Sequence, residues 1–178
     1  MIDSGIDRRG SSLRLLIAEA LRSYPTASLY PFLEDRSVPV RTAAAREIQV
    51  RGEAESFAYA TQLATDRRSY VREIAIFILG QHGTPSYPFK SDAIPLLASK
   101  LSHDPAGSVR AAAAAGLGHL KGYEAIEALV SAVGDRSFEV RACVASALSN
   151  MKRSAKARAA LLLLKEDVNE DVRRWAID

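Results

Sequence analysis

Five times along the chain an Asp is followed by Val five residues later and Arg six residues later. The copies are DRSVPVRTAAAREI from Asp35, DRRSYVREIAIFIL from Asp66, DPAGSVRAAAAAGL from Asp104, DRSFEVRACVASAL from Asp135 and DVNEDVRRWAI from Asp167. Their arginines, at 41, 72, 110, 141 and 173, lie 31, 38, 31 and 32 residues apart. A period of this size marks stacked supersecondary units, each burying its apolar face only against its neighbours.

Between the copies lie EAESFAYATQLAT, SDAIPLLASKLS, YEAIEALVSAV and RSAKARAALLLLKE, with helical periodicity and helix-start residues. Each repeat therefore reads as two antiparallel helices, A then B. Pro31 and Pro95 fit a first turn, three and four residues after the candidate caps Ser28 and Ser91, where amides lack intrahelical partners. The long interval is absorbed by QHGTPSYPFK, a Gly- and Pro-bearing loop. Residues 11–23 read as a leading helix, so the chain divides into an N-terminal segment over 1–25 and a repeat array over 26–178, its fifth repeat incomplete.

At about 100° per residue from the motif Val, the fourth and eighth positions after it share one stripe of the B helix. They hold Ala44, Ala75, Ala113, Val144 and Ala176, then Ile48, Leu79, Leu117 and Leu148. This is the expected core, its small residues letting successive B helices pack closely. The seventh position lies near the same stripe with Ile78, Gly116 and Ala147, but Glu47 in the first repeat departs from it.

The D-x-x-x-x-V-R-x-x-A signature with an Ala-rich second helix resembles the short HEAT-like repeats of bilin lyases and bacterial scaffold proteins, over residues 26–178. The resemblance implies an all-α, right-handed α-solenoid. FLEDRSVPVRTAAAREIQVRG, REIAIFILGQ and DVRRWAI are also similar to a bacterial HEAT-repeat protein of Rhs toxin loci proposed as an immunity protein. In such repeats the turn Asp and the Arg of helix B join neighbouring repeats, which implies a ladder of Asp35, Asp66, Asp104, Asp135 and Asp167 with Arg41, Arg72, Arg110, Arg141 and Arg173. An Asp ahead of a helix also caps its free amides. The Asp and Arg columns are thereby structural rather than catalytic.

The resemblance also implies that B helices line a concave face. The columns turned from the core then place Arg46, Tyr70, Glu73, Ile74, Phe77, Arg174 and Trp175 toward a partner, over a floor of alanines in the third and fourth repeats. Large apolar residues on this face either pack against adjacent repeats across a narrow groove or mark an interaction surface. The expected function is non-enzymatic binding of a protein partner, as an immunity protein or scaffold.

Other functions find less support in the residues. The histidines, His82, His103 and His119, lack the repeated His-Glu dipeptides of HEAT-repeat hydroxylases that bind iron, and read as surface or loop residues. No cofactor or metal is expected. A HEAT-like alkylpurine DNA glycosylase is the alternative, but Arg46 and Arg174 are too few cations to hold several phosphates, and a net charge of +3 adds little. Nucleic acid is therefore an unlikely partner. The single cysteine, Cys143, excludes a disulfide framework and reads as a small hydrophobe. No membrane span or signal sequence is legible, which places the chain in the cytoplasm. The short fifth B helix reads either as part of a longer repeat array or as a face for self-association through that repeat.

Overall fold

A computed structural model describes residues 16–177, which are all-helical with no strand among them. Helix α1 spans residues 16–22, so the first part of the expected leading helix lies outside the described residues. The B helices are α2 (Val38–Arg51), α4 (Ser69–Leu79), α6 (Gly107–His119), α8 (Phe138–Ser149) and α10 (Glu170–Ile177). Three A elements are regular helices, α3 (Ala54–Leu63), α5 (Lys90–His103) and α9 (Ala155–Leu164).

The other two A elements are not. The first is a 3-10 segment, Thr26–Glu34, with Pro31 inside it and Pro25 at its cap position. Two prolines in seven residues remove two amide donors, and the chain settles for the tighter i to i+3 winding. The fourth A element is broken into a 3-10 turn at Tyr123–Ala125, a short α7 (Ile126–Ser131) and a 3-10 turn at Ala132–Gly134. Neither Ser28 nor Ser91 is a cap: Ser28 sits within the 3-10 segment, and Ser91 is inside α5, which begins at Lys90. Pro95 lies beyond the first turn of α5 but on its exposed side, where the carbonyl it leaves free meets water.

The two core columns are buried in every repeat. Successive B helices touch backbone to backbone through their small residues. A Cβ on Gly80 would stand 2.5 Å from the Cα of Gly116, and one on Gly118 would stand 2.8 Å from the Cα of Ala147. Thus the seventh position of one B helix meets the ninth of the helix before it, which sets the stacking direction. Close approach of this kind removes the room for water between helices and gains dispersion contacts along their length.

The loop after α4 folds back over repeats one and two instead of standing in solvent. Gly83, at φ 70°, donates its amide to Gln49 O at 2.7 Å, and Gln49 Nε2 donates to Phe77 O at 2.5 Å. His82 is buried, against the expectation of a surface histidine, because the rings of Phe57 and Phe89 enclose it. Ser56 Oγ lies 2.8 Å from His82 Nε2 and donates its own proton to Glu53 O at 2.8 Å, so the imidazole is the donor at Nε2. Burial holds the His82 pKa below its usual value, and the ring stays neutral. This Ser-His pair has no access to a substrate.

Candidate functional site

Three arginines fork onto the Asp of the next repeat. Arg72 reaches Asp104 at 2.8 Å from both Nε and Nη2, Arg110 reaches Asp135 at 2.7 and 2.9 Å, and Arg141 reaches Asp167 at 2.6 and 2.9 Å. The remaining nitrogen, Nη1, donates to the carbonyl of the Asp in its own repeat, at 2.9 Å for Arg72 and Arg110 and 2.8 Å for Arg141. Each guanidinium therefore ties its own A–B turn to the next one. The Asp carboxylates accept the amide two residues on, at 2.7 to 3.0 Å across the five copies. That is an Asx turn before the helix, not the helix cap the sequence suggested.

The carboxylates stay ionised in these pairs. Burial alone would raise the Asp104 pKa, but Arg72 and the Ala106 amide hold it below the usual range. Hydrogen bonds from Arg110 and Arg141 do the same for Asp135 and Asp167.

Four members of the expected ladder, Asp35, Arg41, Asp66 and Arg173, stand outside these forks. Arg41 makes no pair with Asp66; its guanidinium lies over the Tyr70 ring at 4.8 Å, with Nη1 on Asp35 O at 2.7 Å. Asp66 is taken by Arg68, at 2.9 and 2.8 Å, and Arg68 also reaches Glu34 at 2.6 Å. The cause is local: two residues after the Asp the other copies carry Ser37, Ala106, Ser137 and Asn169, whereas this one carries a cation that folds back. Arg173 closes its own turn through Asp167 O and Val168 O at 2.7 and 3.1 Å. Asp35 has no arginine partner among the described residues.

Glu47, the odd residue of the core stripe, pairs with Arg51 at 3.0 Å. Arg51 in turn donates to Leu21 O, Tyr24 O and Thr26 Oγ1 at 3.0, 2.8 and 2.8 Å. In the first repeat the preceding B helix is replaced by α1, and this polar clasp holds it in place.

The inner face of the B helices carries three recesses. One of about 500 Å³ lies between α1 and α2, walled by Ile17, Val38, Pro39, Ala43, Arg46 and Val50. A second, about 510 Å³, has Ala111, Ala112 and Ala115 as its floor, with Glu73, Glu139 and Cys143 at its sides. The third, about 140 Å³, shares Ala115 and Cys143 with the second and runs on to His119, Asn150 and Trp175. The last two form one groove across repeats two to five.

The expected partner residues divide on this face. Arg46 is exposed and Trp175 is half exposed, while Glu73 is partly exposed and makes no ion pair or hydrogen bond among the described residues. Arg174 is exposed but already drawn to Asp171 and Glu170, at 3.3 and 3.7 Å. Ile74 is buried and is corrected to the core: about 300° around the helix is also the side on which the preceding B helix packs. Tyr70 and Phe77 are half buried against the core, and Tyr70 is further covered by Arg41 and Arg68. Neither ring is among the residues that line the three recesses. The sequence reading missed Glu139, although it sits in the column, one before the motif Val, that had been read only at Tyr70. It also missed the recess of α1 and α2, since α1 carries no repeat signature within the described residues.

No group of three His, Cys, Asp or Glu able to hold a metal occurs among the described residues. Burial raises the Cys143 pKa, leaving a protonated thiol that is a poor nucleophile. No helix of the described residues is long and apolar enough to cross a membrane.

Residues 94–178 match the sequence family of HEAT repeats. The chain carries a HEAT-like repeat array. No curated protein matches it. Among solved structures, YibA of Escherichia coli aligns with a TM-score of 0.59 at 21% identity, over 94% of this chain and 72% of that one. A designed armadillo repeat protein in complex with the peptide (KR)4 aligns with a TM-score of 0.64 at 20% identity, over 90% and 82%. A computationally designed armadillo repeat protein made for modular peptide recognition gives 0.57 at 19%, over 90% and 83%. At these identities the likeness is one of fold.

Proposed function

We propose that this HEAT-like array is a non-catalytic binding module that receives a segment of a protein partner along the inner face of its B helices. The observation that carries this reading is the pair of adjoining recesses over Ala111, Ala112 and Ala115, which share Ala115 and Cys143 and reach from Glu73 to Trp175. Small floor residues leave space for a partner's backbone and side chains, and Trp is among the residues that most often anchor such contacts. A similarly folded designed protein holds a peptide, which supports the same use of this surface. Toxin neutralisation and scaffolding are the two roles that fit a binder of this kind. The carboxylates at the groove oppose phosphate, so a nucleic acid is disfavoured here.

The test fills the floor. Tagged wild-type protein, Ala112→Arg and the outer-face control Gln62→Arg are used to capture proteins from the source cells. A specific partner should be retained by wild type and control and lost with Ala112→Arg. A partner held equally by all three would place binding elsewhere.

A further inference from the structure

We infer that the central recess of the groove takes the long basic side chain, lysine or arginine, of an extended partner segment; this rests on the inner face being the binding face. The argument begins with the two ends such a side chain must satisfy. A lysine or arginine has an apolar stem of three or four methylenes and a cationic head, and it binds best where the stem lies on apolar surface and the head meets carboxylate. The recess between α4, α6 and α8 supplies both. Its floor is Ala111, Ala112 and Ala115, all small enough to leave about 510 Å³ open. Its sides carry Glu73 and Glu139 and no cation.

Other carboxylates without an ion pair among the described residues, such as Glu55, Asp92, Glu124 and Glu166, stand exposed on the surface, whereas Glu73 is partly enclosed at the recess. In the ladder Asp104, Asp135 and Asp167 are satisfied by arginine forks. Glu47 is held by Arg51, and Glu170 and Asp171 by Arg174. Glu73 has no hydrogen bond or ion pair among the described residues, although it is only partly exposed. Glu139 accepts one hydrogen bond from Ser137 Oγ, which holds its pKa below the usual range and keeps it anionic. A neutral floor with anionic walls and nothing in between is complementary to a chain-borne cation. The adjoining small recess toward Trp175 then receives the neighbouring residue of the same segment, and an apolar one fits its alanines and indole.

The chain's one tryptophan stands at the end of this groove, so its emission reports occupancy directly. The probes are the blocked octapeptides (Lys-Ala)4, (Arg-Ala)4, (Gln-Ala)4 and (Glu-Ala)4, titrated into the full chain. The two basic peptides should shift Trp175 emission saturably, with the Gln peptide roughly tenfold weaker or more and the Glu peptide without effect. Binding of the basic peptides should weaken as salt rises from low to physiological concentration. Glu73→Gln with Glu139→Gln, isosteric changes at the surface, should bring the basic peptides down to the Gln peptide while leaving the circular dichroism and melting curve in place. Equal binding of Lys and Gln peptides, or indifference to the double substitution, overturns the basic-side-chain assignment while leaving the binding face intact. Absence of any response to the basic peptides overturns it as well. Failure of the binding face itself shows separately, as a partner retained by Ala112→Arg.

Discussion

In all five repeats Nη1 of the motif Arg bonds the Asp carbonyl of its own turn, which is why the Asp-to-Arg offset is fixed at six, and in three of them the Nε–Nη2 edge also forks onto the next Asp. Nη1 needs a carbonyl within its own turn, and the Nε–Nη2 edge needs a planar carboxylate; only Arg offers both on one rigid group, and Lys could not replace it. The five arginines are therefore not equivalent in energy. Arg110 has both kinds of bond and shields Asp135, whereas Arg173 has only the carbonyl bonds of its own turn. Replacing Arg110 by Ala leaves a half-buried carboxylate without its partner and should cost about 3 kcal/mol or more. Replacing Arg173 by Ala should cost about 1 kcal/mol, the value of ordinary hydrogen bonds. Urea midpoints of the two variants decide the matter; equal losses would mean that the forks contribute nothing beyond the turn clamp. The repeat signature made this ladder legible, and it would have made the missing rung legible too, since Arg68 stands in the sequence at the one turn position where a competing cation can reach Asp66.

At the scale of the element, the B helices are regular where their contacts are small, whereas the A elements vary: proline accounts for the 3-10 winding of Thr26–Glu34, but the broken fourth A element holds no proline and α5 stays regular around Pro95. The core columns could be read from periodicity because each is repeated with the same geometry and the same neighbours. The 3-10 winding of Thr26–Glu34 and the broken fourth A element could not, because periodicity does not separate a 3-10 helix from a short α-helix over nine residues. Nor did the alanine and glycine columns announce which pairs would touch. Gly118 is instructive, because inside an exposed helix Ala would be favoured over Gly by about 1 kcal/mol. Here the added Cβ would meet Ala147 Cα at 2.8 Å, and that atom belongs to backbone and cannot turn aside. Gly118→Ala should therefore destabilise, by roughly 1 to 3 kcal/mol, as α6 and α8 are pushed apart. Gly134→Ala meets nothing within 4 Å and should leave the melting temperature almost unchanged. A stabilised Gly118→Ala protein would show that the two helices are freer to separate than their contact implies.

For the whole molecule the decisive comparison is between the fifth repeat and the four before it. The position five after the motif Val holds Ala45, Ile76, Ala114 and Ala145, each 0% exposed, because the next repeat packs over it; in α10 it holds Ile177, 65% exposed. Beside it α9 turns Leu162 and Leu163 outward, 64% and 68% exposed, where the corresponding residues of α3 are Thr61 and Gln62. Apolar surface of this kind on adjacent elements lowers its free energy by being covered. The sequence pointed to this end only through the brevity of the last B helix; in the run of four leucines at 161–164, composition does not separate the buried Leu161 and Leu164 from the exposed Leu162 and Leu163. Two copies meeting through this surface would form an isologous pair, the commonest way for identical patches to cover each other. The expectation is that the protein's weight-average mass rises with concentration in sedimentation equilibrium. Leu163→Glu together with Ile177→Asp, both at exposed positions, should hold it at the monomer mass without lowering its melting temperature. A monomer at every concentration for the wild type rejects self-association through the fifth repeat, and a dimer that survives the double substitution moves the contact to another face.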